Sequence, residues 1–277
     1  MLRIVADTTS GLTPQHARQY GFDLLPQLVI FGEQTFRDDT ELDTATFLSK
    51  LRSSSQLPKT AAPPHLLYHP IFEDARQKGQ TVLVVAPSGK ISGTIRSVET
   101  AAQDFPDLPI HIVDTQTVAG NLATLVLLAA QLAAEGLSAE ESLARLKALL
   151  PRQRLYFLVD TLEYLKKGGR IGGAKALLGE LLQVKPILQL KDGQVEPLEQ
   201  TRTKRRALSR LVELVAGQAP AGKAHLSVMQ IDAEEQAQAL AQEIAARLNI
   251  PTPPVYRLPA AIGVHAGPGA LAVGFFA

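Results

Sequence analysis

Apolar and polar positions along the first half of the chain predict strands and helices in alternation. Short runs rich in Val, Ile and Leu, bounded by polar turns, predict buried strands at residues 2–6, 23–31, 81–86 and 110–114. Apolar residues at helical spacing predict helices at residues 14–21, 43–51, 65–78, 92–102, 122–134 and 138–150. This alternation favours a mainly parallel sheet with helices on both faces, so we predict an N-terminal three-layer α/β/α domain.

The second half of the chain does not continue this regular alternation, and we predict the boundary between two domains near residues 151–154. We assign residues 1–153 to the N-terminal α/β domain and residues 154–277 to a smaller C-terminal α+β domain with a mixed sheet. A hairpin is predicted at 187–198, turning at Asp192-Gly193. Further elements are predicted at residues 155–160, 175–182, 203–215, 224–231, 234–248 and 255–257, before a Gly-rich tail that ends in a strand, residues 262–277.

The segment 81–101 carries the clearest chemical signal. A buried strand feeds a helix through a short loop, and Ser92-Gly93-Thr94 opens that helix. Such a loop directs backbone N–H groups and the partial positive charge of the helix start toward one point, and the two hydroxyls add donors. The loop therefore suits a carboxylate or a phosphate. Residue chemistry alone is equally compatible with an ordinary strand–helix turn.

The same loop does not fit the familiar catalytic and nucleotide-binding motifs. A P-loop would need Gly where Val84 stands and a hydroxyl residue where Ile91 stands. No Gly-x-Ser-x-Gly elbow surrounds Ser88 or Ser92, which argues against a serine hydrolase. Ligands in parallel sheets bind beyond the carboxyl ends of the strands, where the loops 7–10, 87–94 and 114–120 are expected.

Composition narrows the class of protein further. The chain has 277 residues, of which 45% are apolar, and a formal net charge of +1, so bulk charge does not favour nucleic acid as a partner. The absence of Cys excludes disulfides, thiolate metal sites and Cys catalysis. The N-terminus shows no signal-peptide pattern, and the apolar stretch 122–134 is too short to cross a bilayer. We expect a cytoplasmic protein without stable membrane insertion.

Two basic segments have both a functional and a plain structural interpretation. Residues 202–206 place cations at a predicted helix start, where the helix dipole disfavours them, so an anionic group or partner is one interpretation and a solvated face is the other. Residues 166–170, with two Gly and Arg170, would suit a phosphate clamp or a helix C-cap.

The histidines offer weaker candidates. His65 and His69 have the i, i+4 spacing of helical metal ligands, but no Glu follows the first His and Pro70 interrupts the turn, so we predict no metal. His265 lies in a predicted Gly-rich loop, residues 263–269, where an imidazole is able to donate to a carboxylate or act in acid–base chemistry. An ordinary turn residue is the alternative. We expect no cofactor.

Taken together, several of these segments resemble the DegV family of bacterial lipid-binding proteins. The resemblance covers essentially the whole chain, and its most specific part is the run 160–171, DTLEYLKKGGRI. Supporting segments are Asp7-Thr8-Thr9-Ser10, Lys59-Thr60 in a predicted loop, Ser92-Gly93-Thr94 and residues 263–269.

The resemblance implies a function and a set of site residues. Members of this family bind a long-chain fatty acid between two α/β domains, and several are the non-catalytic binding subunit of a bacterial fatty acid kinase, whose ATP-using partner makes acyl phosphate. By resemblance, Thr60, Ser92, Gly93 and His265 hold the ligand carboxylate. The resemblance also implies that Arg170 and Arg202 face the head group or the phosphoryl transfer.

One departure from the family pattern bears on the head group. After Thr60 the family commonly has Ser-Gln-Pro-Ser, whereas this chain has Ala61-Ala62-Pro63-Pro64, which lacks two hydroxyls and an amide. The alternative function is a stand-alone enzyme acting on a small phosphorylated substrate, with Arg170 and Arg202 as clamps and His265 as acid–base group.

Overall fold

A computed structural model describes residues 1–179, 185–220 and 225–277, which divide into two compact units. The first unit comprises Met1–Asp43 and Pro58–Pro151, and the second comprises Thr44–Leu57 and Arg152–Ala277. The segment Thr44–Leu57, which the sequence analysis assigns to the first domain, thus belongs to the second unit, and the two units are nearly equal in length.

Strands and short helices follow one another along both units. The strands are β1 (Leu2–Asp7), β2 (Asp23–Leu25), β3 (Leu28–Phe31), β4 (Gln34–Arg37), β5 (Lys59–Ala61), β6 (Thr81–Ala86), β7 (Ile110–Asp114), β8 (Gln153–Leu158), β9 (Lys185–Lys191), β10 (Gln194–Thr201), β11 (Ser227–Ile231), β12 (Val255–Arg257) and β13 (Ala270–Phe276). The α-helices are α1 (Pro14–Tyr20), α2 (Thr44–Ser53), α3 (His69–Gln77), α4 (Thr94–Ala102), α5 (Ala119–Ala134), α6 (Ala139–Leu149), α7 (Glu163–Lys167), α8 (Lys204–Gln218), α9 (Glu234–Leu248) and α10 (Ala260–Ala266).

The first unit is built on a parallel sheet with the strand order β2-β1-β6-β7. Val82 and Val84 of β6 pack into one core cluster with Phe72 of α3 and Val98 of α4. Successive residues of a strand face opposite sides, so the alternate apolar positions of β6 face the other side, where α5 and α6 contact the strand. This arrangement confirms the predicted three-layer α/β/α architecture.

A second sheet is antiparallel and has the strand order β4-β3-β5. It shows that two of the sequence-based predictions were wrong. The predicted strand at 23–31 is two strands in different sheets, because Pro26 has no N–H for a ladder and the Gln27 side chain turns to Asp7. Thr60, expected in a loop, lies in β5 opposite Val29.

The second unit contains a mixed sheet with the strand order β10-β9-β8-β13-β11-β12, as predicted. All of its pairs are antiparallel except β11 with β12. The predicted hairpin is confirmed: Asp192 and Gly193 have φ values of 49° and 80°, as a tight hairpin turn requires. The last strand, β13, lies in the middle of this sheet and is buried along its whole length.

Three features of the second unit differ from the sequence-based predictions or fall partly outside the described residues. The predicted helix 175–182 is a 3-10 helix at Gly172–Gly179, and residues 180–182 lie outside the described residues. The predicted strand 224–231 is described from Ser227 onward, and Ala224 lies outside the described residues. His265 lies in the last turn of α10 and not in a loop, because the helix continues until Gly267, whose φ of 76° ends it.

Candidate functional site

The loop between β6 and α4 is held at both of its ends. The backbone N–H of Ser88 donates to the carbonyl of Thr117 at 2.9 Å, and that of Ser92 donates to the carbonyl of Ser88 at 3.0 Å. Gly93 precedes the first residue of α4 and has no side chain with which to cap it. Ser92 and Gly93 are half-buried, so the start of this helix is accessible, as an anion site requires.

A fully buried carboxyl group, that of Asp7, organises the start of α4. Asp7 Oδ1 accepts a hydrogen bond from the backbone N–H of Thr9 at 2.9 Å and another from the Thr9 hydroxyl. Asp7 Oδ2 hydrogen-bonds to Thr94 Oγ1 at 2.5 Å and accepts from Gln27 Nε2 at 2.8 Å. Gln27 Nε2 also donates to Thr94 Oγ1 at 3.0 Å. Asp7 thereby fixes the first residue of α4.

The two hydroxyls of the Ser92-Gly93-Thr94 segment have different roles. Thr94 is 1% exposed and its hydroxyl is turned inward to Asp7, so it is not the ligand donor that the sequence suggests. Ser92 Oγ lies 3.0 Å from Thr94 Oγ1 and accepts from the Thr94 backbone N–H at 3.3 Å. The half-buried Ser92 is the hydroxyl of this segment that a ligand is able to reach.

A second carboxyl group and a phenol lie beside Asp7. Asp38 Oδ1 accepts from Thr8 Oγ1 at 2.6 Å. Burial raises the pKa of Asp38 to about 7, the hydrogen bond from Thr8 opposes the rise, and the charge of Asp7 adds to it. Burial likewise raises the pKa of Asp7, against the lowering effect of its hydrogen bonds. Burial and the Asp7 charge hold the pKa of Tyr68 well above its ordinary value.

The structure brings the Thr60 segment and the Ser92 loop together in the first unit. A Cβ added at Gly93 would lie 3.5 Å from the Cβ of Ala62, two residues after Thr60. Ser97 of α4 also donates its hydroxyl proton to the carbonyl of Pro63. The Ala-Ala-Pro-Pro segment thus packs against the first turns of α4 through its methyl groups and backbone.

In the second unit, residues 160–171 and residues 263–269, two of the segments that carry the DegV resemblance, pack on each other at three glycines. A Cβ added at Gly168 would lie 2.2 Å from Nδ1 of His265. One added at Gly267 would lie 2.4 Å from a ring carbon of Tyr164, and one added at Gly269 would lie 2.1 Å from Asp160 Oδ2. Real Cβ atoms do not approach so closely, so a larger residue at any of these positions would displace the neighbouring side chain, and the positive φ of Gly267 and Gly269 further favours glycine there.

His265 is held as a neutral imidazole. Burial lowers its pKa to about 4, and the positive charge of Arg170 adds to this effect. The guanidinium of Arg170 donates through Nη1 to the carbonyl of Gly168 at 2.7 Å. At neutral pH His265 therefore offers a hydrogen-bonding group and no charge, while Arg170 supplies the positive charge nearby.

Part of the positive charge at the start of α8 is neutralised by a partner within the second unit. The Thr203 hydroxyl caps the helix by accepting from the Arg206 N–H at 3.2 Å. Lys204 Nζ pairs with Asp160 Oδ1 at 2.8 Å, so this cation has an internal partner and needs no external anion. Arg202, immediately before the cap, is exposed.

The remaining candidates are the two histidines at i, i+4 spacing. His65 and His69 have ring centroids 6.1 Å apart, and His69 Nε2 lies 3.2 Å from Asp104 Oδ2. Over residues 1–179, 185–220 and 225–277, no cluster of three or more His, Cys, Asp or Glu side chains is arranged to hold a metal ion. No helix in the same ranges combines the length and the apolarity needed to cross a membrane.

The loop is visible in the sequence, but most of the contacts that hold it are not. Thr60, Ser92 and Gly93 lie in the first unit, and His265, Arg170 and Arg202 lie in the second. Gln27 was not a candidate, although it is 3% exposed and hydrogen-bonds to both Asp7 and Thr94. A polar residue that follows Pro26 within an apolar run was the available signal.

Comparison with known proteins gives one consistent result over the full length. A family model described as "Uncharacterised protein, DegV family" matches residues 1–277. A DegV domain-containing protein of Streptomyces coelicolor is 33% identical over 271 residues, which is 98% of this chain and 96% of that protein.

Solved structures agree with this match. A DegV family protein from Thermus thermophilus, for which fatty acid binding is described, has a TM-score of 0.90 and 34% identity, covering 100% of this chain and 99% of that one. DegV of Bacillus subtilis, described as a fatty acid binding protein, has a TM-score of 0.89 and 30% identity with the same coverage. The motifs, the fold and these matches together show that the chain belongs to the DegV family.

Proposed function

We propose that this protein binds a long-chain fatty acid, burying the acyl chain and holding the carboxylate with neutral hydrogen-bond donors. The observation that carries the proposal is the full-length similarity to the Thermus thermophilus and Bacillus subtilis proteins, both described as binding fatty acids. The accessible start of α4 beside Ser92 is consistent with a site for a carboxylate.

The proposed head-group contacts come from Thr60, Ser92, Gly93 and His265. Hydroxyls, backbone N–H groups and a neutral imidazole suit a carboxylate, which only accepts hydrogen bonds when ionised. A buried carboxylate without such donors would be costly. The neutral state of His265, whose pKa is lowered to about 4, supports a hydrogen-bonding role over a charge-pairing one.

The acyl chain would supply most of the affinity. Each buried CH₂ contributes about 0.8 kcal/mol, so a long chain offers on the order of 10 kcal/mol before the costs of ordering and association. The head-group contacts then select a carboxylate over other polar ends. Loss of a single head-group donor is expected to weaken binding without abolishing it.

We further propose that the protein is non-catalytic and presents the carboxylate to a kinase that forms acyl phosphate. Arg170 and Arg202 are the residues proposed to face the head group or the phosphoryl transfer. The support is the DegV resemblance of the segment that contains Arg170, together with the exposure of Arg202, which leaves that cation available to a partner.

The test is the identity of the bound ligand. Protein purified from a bacterial host is extracted under denaturing conditions and analysed by mass spectrometry, and a long-chain fatty acid near one equivalent is expected. Absence of an acyl ligand, with no binding after fatty acid is added, would contradict the proposal. Turnover of a phosphorylated small molecule without any added protein would favour the stand-alone enzyme.

A further inference from the structure

We propose that carboxylate binding is coupled to uptake of one proton by Asp7, which reverses a chain of hydrogen bonds so that Ser92 donates to the ligand. This inference rests on the fatty-acid-binding function proposed above and adds a residue that sets the donor state of Ser92. Asp7 does not touch the ligand in this scheme. It is a positioning residue that acts through Thr94.

With Asp7 ionised, the contacts leave one direction for each hydrogen bond. Each hydroxyl has one proton to donate, and the amide nitrogen of Gln27 has two. Thr94 Oγ1 donates to Asp7 Oδ2 at 2.5 Å, and Gln27 Nε2 donates to Asp7 Oδ2 at 2.8 Å and to Thr94 Oγ1 at 3.0 Å. In the remaining 3.0 Å contact between Ser92 Oγ and Thr94 Oγ1, Ser92 must therefore be the donor.

A bound carboxylate needs the opposite direction at Ser92. An ionised carboxylate only accepts hydrogen bonds, so the Ser92 O–H has to turn away from Thr94 and toward the ligand. The ligand would also place a second negative charge two hydroxyls away from that of Asp7, and like charges in poorly hydrated surroundings disfavour ionisation of both.

Protonation of Asp7 removes both obstacles, the direction of the Ser92 hydrogen bond and the repulsion between two negative charges. A proton from solvent bonds to Asp7 Oδ2, which then donates to Thr94 Oγ1. Thr94 turns its O–H to Ser92 Oγ, and Ser92 turns its own to the ligand carboxylate. No other covalent bond changes, because the two hydroxyls only rotate. The heavy-atom distances already lie within hydrogen-bonding range for this reversed chain.

The surroundings of Asp7 favour this uptake. Asp7 is 1% exposed, and its hydrogen-bond partners are the neutral groups of Thr9, Gln27 and Thr94. The charge of Asp7 acts on two titratable groups, Asp38 and Tyr68, and neither is a cation. Burial raises the pKa of Asp7, which brings the protonated form closer in free energy to the ionised form.

Calorimetry with palmitate tests the coupling. Delipidated protein is titrated at one pH in two buffers that differ in ionisation enthalpy, which counts the protons taken up on binding. We expect wild type to take up about one proton more than Asp7→Asn. Asn at position 7 carries no titratable group, so any proton that wild type takes up beyond this variant belongs to Asp7. Asp38→Asn is the matched control and should retain the wild-type uptake.

The outcomes separate this inference from the function on which it rests. Equal proton uptake by wild type and Asp7→Asn overturns the inference while fatty-acid binding stands. Absence of palmitate binding to wild type overturns both. In case Asp7→Asn does not fold, infrared difference spectra of wild type with ¹³C-carboxyl palmitate give a second readout. A new unlabelled carboxylic-acid C=O band on binding, retained in Asp38→Asn, supports the proposal, and its absence overturns it.

Discussion

Gly168 and His265 approach each other so closely that no side chain fits between them. A Cβ at Gly168 would lie 2.2 Å from Nδ1 of the imidazole and 3.0 Å from the Tyr164 carbonyl. The glycine therefore determines where His265 sits, although it carries no chemistry of its own. This contact gives a physical reason why the Lys-Lys-Gly-Gly-Arg run and the C-terminal Gly-rich segment occur together in this chain.

Substitution of Gly168 by Ala should displace His265 and weaken fatty-acid binding about tenfold, equivalent to about 1.4 kcal/mol. Equilibrium binding of palmitate to delipidated protein measures the loss. Gly217→Ala is the matched control, because no atom lies within 4 Å of the added Cβ in α8. Ala at that helical position should leave binding unchanged and add up to about 1 kcal/mol of stability. Equal affinities of the two variants would refute the positioning role of Gly168.

The imidazole of His265 should titrate near pH 4 in the free protein, since burial lowers its pKa to about that value. The neutral form is favoured on folding, so this group contributes stability above pH 6.5 that is lost as pH falls toward 4. NMR titration, assigned by comparison with His265→Gln, measures the pKa. A bound carboxylate should raise it. An unbound pKa near 6.5 would show that the imidazole is not buried as described.

Asp38→Asn should stabilise the protein at pH 8. The pKa of Asp38 is raised from 3.8 to about 7, so the folded state retains a proton that the unfolded state has lost. The stability associated with this group is therefore full below pH 3.8 and is lost as pH rises to about 7, by up to about 4 kcal/mol. Denaturant unfolding of wild type and Asp38→Asn across pH 4–8 should show a smaller decline in the variant. Parallel pH profiles would exclude this effect.

Gly93→Ala should leave the fold intact and weaken ligand binding. The added Cβ would lie 3.5 Å from Ala62 Cβ and from Arg96 Nη2, which is ordinary contact, and the φ of Gly93 is −85°. A carboxylate that approaches the start of α4 would meet the new methyl group, so we expect about a tenfold loss of palmitate affinity at unchanged melting temperature. Unchanged affinity would place the ligand away from this helix start.

Much of the secondary structure of the first unit could be predicted from the local pattern of apolar and polar residues. The β6 strand and the start of α4 are visible in the sequence because an apolar run, a polar loop and a helical periodicity follow each other directly. The break at Pro26 was missed because two short apolar strands in different sheets look like one run. Only the tertiary structure separates β2 from β3.

The supporting contacts of the site could not be predicted, because they join residues far apart in sequence. Asp7 is 87 residues from Thr94, and nothing local indicates that its carboxyl group hydrogen-bonds there. His265 was expected in a loop because the glycines around it suggested one. Gly263 instead lies inside α10 and allows close packing, since an added Cβ would lie 2.5 Å from Ile231.

The proposal that Ser92 helps to hold a fatty-acid carboxylate is tested by equilibrium binding of palmitate and of hexadecanol to delipidated wild type and Ser92→Ala. The two ligands share the acyl length and differ in the head group. We predict that wild type binds palmitate more tightly than hexadecanol, and that Ser92→Ala loses about tenfold in affinity for palmitate alone. Failure of wild type to bind palmitate, or equal affinity for both ligands with no effect of Ser92→Ala, would contradict it.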